Sequence, residues 1–246
     1  MSGHSKWATI KHAKGAADAK RGQMFTKLIK EISIAARMGG GSLDGNPRLR
    51  TAILKARAAN MPKDNIDRAV KKGTGELEGV TYEELTYEAY APGGVAILIE
   101  VLTDNKNRAA ADVRNILTRA GGQLATAGSV SRLFKRQGII DLDGEKYTED
   151  QVMEAAIDGG AEDVSLSDGV IEVTTAPEDF EAVMNVLSEK NFETMSAEIS
   201  MVPEADVALD NEATGKVLKL IDKLEENDDV QNVYSNISIP DGYTAE

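Results

Sequence analysis

Few residues in this 246-residue chain have the types and spacing that catalysis needs. It contains no Cys, which removes a thiolate nucleophile, disulfides and thiolate metal ligands, and fits a reducing compartment. His4 and His12 are the only histidines, and both lie in or beside the basic opening segment. No G-x-S-x-G, Walker loop or H-E-x-x-H occurs. Asp141, Asp143 and Gly144 approach a calcium loop, but the D-x-[DN]-x-[DN]-G register is absent, and Asp-Gly is the commoner mark of a turn. Gly73, Gly75 and Gly79 form a broken G-x-G-x-x-G that follows a helical pattern rather than a strand, so they read as a linker. The expectation is no enzyme, no catalytic residue, no metal, no cofactor and no small-molecule substrate.

The chemistry that remains is charge on charge. Sixteen Lys and Arg stand against five Asp and Glu through Gly75, a net +11 in a chain of net −13, which leaves −24 for the rest. Concentrating like charge costs self-repulsion, and a polyanionic partner is the usual reason to tolerate it. The candidate nucleic-acid-binding residues are Lys6, Trp7, Lys11, His12, Lys14, Lys20, Arg21, Lys27, Lys30, Arg48, Arg50, Lys55, Arg57, Arg68, Lys71 and Lys72. Trp7, the single tryptophan, could stack on a base between its lysines or pin the opening arm onto the helices. Most charged helical residues are simply a solvated face, but that reading weakens where acids fail to alternate with bases. A second candidate is the loop Asp104, Asn105, Lys106, Asn107 and Arg108, which follows a buried strand, where functional loops often sit.

The elements that must position these residues follow from periodicity. Residues 1–22 read as a mobile basic arm, and 23–79 as a basic domain of three helices. Phe25, Leu28, Ile29, Ile32 and Ala36 make the first apolar stripe, ended by Gly39 to Gly41. Asn46 and Pro47 cap a second helix running to about Asn60. A third starts near Pro62 and closes at Gly73. LTYEAYA and VAILIEVLT then form a hairpin, residues 103–105 cap a helix through Ala120, and a short strand falls near SVSRLF. GIIDL, a helix capped by Thr148 to Gln151, DVSL, VIEVTT, a helix opened by Pro177, and ETMSAEISM give β-α-β-β-α-β, the ferredoxin-like order. Asn211 caps a last helix before a strand at VQNVYSNISI. One helix and one strand cannot make a core, so the tail returns to complete the first sheet.

The expected fold class is thus α+β multidomain: an N-terminal basic three-helix domain plus two α+β domains, the ferredoxin-like one inserted in the other. The expected divisions are 80–136 plus 204–246 for the discontinuous domain and 137–203 for the acidic insertion. No run approaches the roughly 18 apolar residues of a membrane span. The opening residues also lack an apolar signal core, so a cytoplasmic protein without a membrane partner is expected.

The stretches GHSKWATIKHAKGAADAKRGQMFTKLIKEI, GGG with NPRLR, MPKDNIDRAVKKG, YEAYAPGGVAILIEVLTDNKNR and GSVSRLFKRQGII resemble the YebC family closely. The likeness runs from Ser2 to the end and is densest through about Ile140. It implies three domains, with two α+β domains forming a cleft, and a nucleic-acid partner. Members are commonly labelled probable transcriptional regulators that bind DNA. Others, including the mitochondrial translational activator of cytochrome oxidase subunit one, act at the ribosome, and some are proposed to relieve stalling at proline runs. DNA-binding regulator, ribosome-associated factor binding ribosomal RNA, and protein-interaction adaptor are the three readings left open. No clear helix-turn-helix and no evident set of Asn, Gln and Arg for base edges is present.

Overall fold

The computed structural model describes residues 19–240 and Tyr243, with side chains from Arg21 onward. The described chain is α+β and falls into two compact units, one of residues 19–127 with 215–233, the other of 128–214 with 234–240.

In the first unit, helices α1 (Ala19–Gly39), α2 (Pro47–Ala58) and α3 (Lys63–Thr74) meet on Ile32, Ala35, Ala36, Leu49, Ala52, Ile53, Ala56, Ile66 and Ala69. Asn46 starts α2 as expected: its Oδ1 accepts from the Leu49 N–H at 3.0 Å, while its Nδ2 donates to the carbonyls of Ala35 and Gly40, both at 2.8 Å. The residue that closes α3 differs from expectation. Gly75, at φ 82°, takes the left-handed cap, and Gly73 stays inside the helix. A Cβ on Gly73 would lie 2.3 Å from the Ser33 carbonyl oxygen, so this glycine lets two helices touch rather than ending one.

Strands β1 (Glu83–Tyr90) and β2 (Ala96–Thr103) form the hairpin, turning at Pro92 to Gly94. Helix α4 (Lys106–Arg119) follows, capped by Asn105, whose Oδ1 accepts from the Arg108 N–H at 3.0 Å. The short strand expected near SVSRLF lies earlier, as β3 (Gln123–Leu124), because Gly121 at φ 76° turns the chain straight back onto β1. The sheet order is β3-β1-β2-β9, with the nearly all-buried β2 inside it and β9 (Val230–Ser235) supplied by the tail.

The second unit contains β4 (Phe134–Asp143), α5 (Glu149–Ile157), β5 (Ala161–Ser167), β6 (Val170–Thr175), α6 (Phe180–Glu189) and β7 (Thr194–Pro203). Its all-antiparallel pairings and order β5-β6-β4-β7 are the ferredoxin-like sheet, in which β6 separates the two strands of the first β-α-β unit. The β5–β6 hairpin turns on Asp168 (φ 50°) and Gly169 (φ 79°), the two positive-φ residues its two-residue loop demands. Thr148 and Gln151 form the reciprocal capping box expected of them.

Three boundaries move. Pro177 lies in a turn and α6 begins at Phe180. Asp210 rather than Asn211 caps α7 (Asn211–Glu225), its Oδ1 accepting from the Ala213 N–H at 2.8 Å. VQNVYSNISI breaks at the buried Asn236 into β9 and β10 (Ile237–Ser238), and β10 pairs in parallel with β8 (Val207–Ala208). Laying β2, β3, β1 and β9 over β4, β5, β6 and β7 gives the same neighbour order in both sheets, with β1 at the front of the chain standing where the third strand stands in the insertion.

Candidate nucleic-acid interface

With the apolar stripes of α1, α2 and α3 turned inward, the remaining faces carry the bases. On α2 the helical period sets Arg50, Leu54 and Arg57 in one row with Lys55 beside it, and Leu54 is 58 % exposed. Arg50 donates through Nη1 to the Leu43 carbonyl at 3.3 Å. On α3, Arg68, Lys71 and Lys72 are exposed, as is Arg21 at the start of α1. Arg37 and Lys63 share these exposed faces although they are not in the set expected from the sequence. The signal for both was their position off the apolar stripe. Lys6, Trp7, Lys11, His12, Lys14 and the side chain of Lys20 lie outside the described residues.

Three expected phosphate ligands are engaged within the chain instead. Lys30 is only 7 % exposed, and its Nζ donates to Asp229 Oδ1 at 2.6 Å and to the carbonyls of Asp228 at 2.8 Å and Leu102 at 3.3 Å. It also sits 5.7 Å from the Tyr82 ring centroid. This corrects its assignment: a buried ammonium holding a carboxylate cannot also reach a phosphate. Lys27 Nζ donates to the Glu225 carbonyl at 2.6 Å. Arg48 forks onto Glu31, with Nε to Oε1 at 2.7 Å and Nη2 to Oε2 at 3.0 Å, and also bonds Glu84. The Glu31 hydrogen bond raises the Arg48 pKa further against the opposing effect of burial, so this guanidinium is a fixed ion-pair partner.

The loop after β2 is explained by the same kind of closure. Asp229, 4 % exposed, accepts from Lys30, from Thr103 Oγ1 at 3.0 Å, and from Arg108 through Nη2 at 2.8 Å and Nε at 3.2 Å. Burial pushes its carboxyl upward, but the hydrogen bonds from Lys30 and Arg108 outweigh it and hold the group below the usual carboxylate range. Arg108 also bonds Asp104 at 2.6 Å, Lys106 pairs with Glu83 at 2.5 Å, Asn105 is a helix cap, and Asn107 is exposed. Four of the five loop residues therefore make bonds within the chain, and Asp104 and Arg108 also line a shallow hollow beside Asp229.

Among the described residues no group of three or more His, Cys, Asp or Glu side chains could hold a metal ion. None of the described helices is long and apolar enough to cross a membrane. What the helical surface can do chemically is offer guanidinium and ammonium groups to phosphate oxygens from two adjacent helices, with one aliphatic side chain standing among them.

Comparison with known proteins bears on which surface matters. A family profile described as "TACO1/YebC protein N-terminal domain" matches residues 5–76, and one described as "TACO1/YebC second and third domain" matches residues 82–237. A probable transcriptional regulatory protein of Treponema denticola is 68% identical over 243 residues, covering 99% of this chain and 98% of that protein. One from Syntrophobacter fumaroxidans is 56% identical over 242 residues, covering 98% and 97%. The crystal structure of a conserved hypothetical protein from Aquifex aeolicus is 46% identical and superposes with a TM-score of 0.83, over 93% of this chain and 95% of that one.

Proposed function

The chain belongs to the TACO1/YebC family, and from that premise we propose that it is a nucleic-acid-binding regulator of gene expression, acting as a DNA-binding transcriptional regulator through its basic helices. The observation that carries this reading is the exposure of Lys55, Arg57, Arg68, Lys71 and Lys72 on two neighbouring helices, with the half-buried Arg50 beside them. The names of the Treponema denticola and Syntrophobacter fumaroxidans relatives point the same way.

The contacts such a surface makes are with the phosphate backbone. Helix α2, PRLRTAILKARA, has no Asn or Gln for the bidentate reading of adenine, and of its arginines, which could read guanine, Arg48 is held by Glu31 and Arg50 bonds the Leu43 carbonyl, leaving chiefly Arg57. This favours a second reading of the same surface, a ribosome-associated factor that grips folded ribosomal RNA by shape. In neither case does the protein act as an enzyme.

Fluorescence anisotropy of the full chain against a labelled DNA duplex and a labelled structured RNA, each over a salt series, separates the two. Binding to either with a log K against log salt slope of several units supports the reading. Tighter binding to RNA at the same salt selects the second version. Absence of binding to both at low salt, where phosphate contacts are strongest, overturns it.

A further inference from the structure

The broken glycine motif at Gly73, Gly75 and Gly79 is more than a linker. It shapes a hollow of about 220 Å³ whose one wall is α1 and α3, through Ser33, Arg37 and Lys72, and whose other wall is the segment from Leu77 to Tyr82. Gly73 brings α3 onto α1, and Gly79 brings the segment onto Lys72, where an added Cβ would lie 3.0 Å from the lysine Cβ. The Leu77 N–H donates to the Lys71 carbonyl at 3.1 Å, which fixes the segment's course over the helix end.

Two properties of this hollow belong together. Its cations, Arg37 and Lys72, are met by no carboxylate among the described residues that line it. The C-terminal ends of α1 and α3 contribute partial negative charge there, but two full positive charges exceed it. Two of its apolar side chains are left in solvent, Leu77 at 43 % and Val80 at 57 % exposure, whereas Ile34 on the α1 wall is buried and Tyr82 half-buried. A ligand that satisfies both is an anion attached to a planar ring, whose faces are apolar even where its edges are polar. The volume falls below the roughly 300–1,000 Å³ of a cleft that takes a whole cofactor or drug-sized molecule, which matches one ring and its phosphate.

Building on the nucleic-acid reading above, we infer that this hollow receives one unstacked nucleotide of the bound nucleic acid, its base against Leu77 and Val80 and its phosphate between Arg37 and Lys72. The exposed bases of α2 and α3 follow the backbone, and the hollow selects sites where a base is already out of the stack. A bulge or loop then binds better than a continuous duplex, because extracting a paired base costs a few kcal/mol and extracting a bulged one costs little. Both DNA and RNA carry this chemistry.

The test titrates the full chain with four oligonucleotides, a fully paired duplex and the same duplex with one bulged 2-aminopurine, each as DNA and as RNA. The expected result is at least fivefold tighter binding of a bulged form, accompanied by a change in 2-aminopurine emission. Replacing Leu77→Ser with Val80→Ser, which removes the apolar platform without adding charge, should bring bulged and paired affinities to parity by weakening the bulged form. Arg37→Gln should reduce the bulge preference, whereas Arg57→Glu should weaken both forms alike. Preference confined to RNA or to DNA identifies the source of the nucleotide. Equal affinity of the wild-type chain for bulged and paired forms overturns the inference, as does a preference that survives the Leu77 and Val80 changes. Failure to bind any of the four overturns the parent reading instead, and this one with it.

Discussion

Replacing Asp229 by Asn tests whether Lys30 is a structural cation. The substitution keeps the shape and removes the charge that Lys30 Nζ meets at 2.6 Å. Lys30 is 7 % exposed, so its ammonium cannot recover water without opening the contact between α1 and the sheet end. Two backbone carbonyls at 2.8 and 3.3 Å remain, and they are dipoles facing a full charge. Breaking one side of a buried pair typically costs about 3–5 kcal/mol. Arg108 adds little, since half of it faces solvent and Asp104 stays beside it, the situation in which a pair contributes about 0–1 kcal/mol. The expected loss is therefore about 3–5 kcal/mol, governed by the buried partner. Urea unfolding followed by far-ultraviolet circular dichroism reads it. The paired change Lys30→Met with Asp229→Leu should regain most of the loss, because an apolar pair of similar volume carries no desolvation penalty. Acid adds an independent reading. The folded-state pKa of Asp229 lies below its unfolded value, so its contribution is complete above the ordinary carboxylate pKa of about 3.9 and is lost as pH falls through the lowered folded value. Asp229→Asn should lack that acid transition. A loss below about 1 kcal/mol, or a double variant no better than the sum of its parts, would refute the argument.

Other outcomes follow from the same geometry. Arg57→Glu and Lys71→Glu should each weaken nucleic-acid binding and lower the salt slope by about one, while Lys30→Met, compared at equal folded fraction, leaves the slope unchanged. Asn46→Ala should cost about 1–2 kcal/mol in urea unfolding, near the upper end for a helix cap, because the amide also holds the carbonyls of Ala35 and Gly40. Gly73→Ala should destabilise by about 1–3 kcal/mol, since its Cβ would press on the Ser33 carbonyl. Gly22→Ala, in the same helix system with nothing within 4 Å of the new carbon, should stabilise by about 0.5–1 kcal/mol.

Local chemistry was legible in the sequence and long-range partnership was not. Asn46, Asn105 and the Thr148–Gln151 box announce helix starts because a cap needs only its own next three residues. The split β-α-β order of the insertion likewise follows from consecutive elements. Lys30 could not be read in this way. It sits among basic residues, one position past Ile29 of the apolar stripe, and its counterion is 199 residues away. Arg48 is similar, since Glu84 comes from a strand in the other half of its unit. Gly73 and Gly75 are indistinguishable by type, and only the depth of the α1 contact decides which one stops the helix and which one admits a neighbour. Asn236 is polar in an apolar run, and it becomes a break because its carbonyl accepts from Val207 and its amide donates to Ala205.

The order of strands in the first sheet has a consequence for synthesis. Strand β2 ends at Thr103, but β9, which lies beside it, begins at Val230. At about 5–20 residues per second, the ribosome leaves that edge of a nearly continuous apolar strand open for roughly 6–25 s. The ferredoxin-like insertion, whose strands are all in hand by Pro203, can close first. Asp229 arrives just ahead of β9, so the charge that lets Lys30 settle and the strand that seals the edge emerge together. A chain cut short anywhere between residues 104 and 228 would therefore keep an open apolar edge, the kind of surface that pairs with other chains and that holdases and quality-control proteases act on.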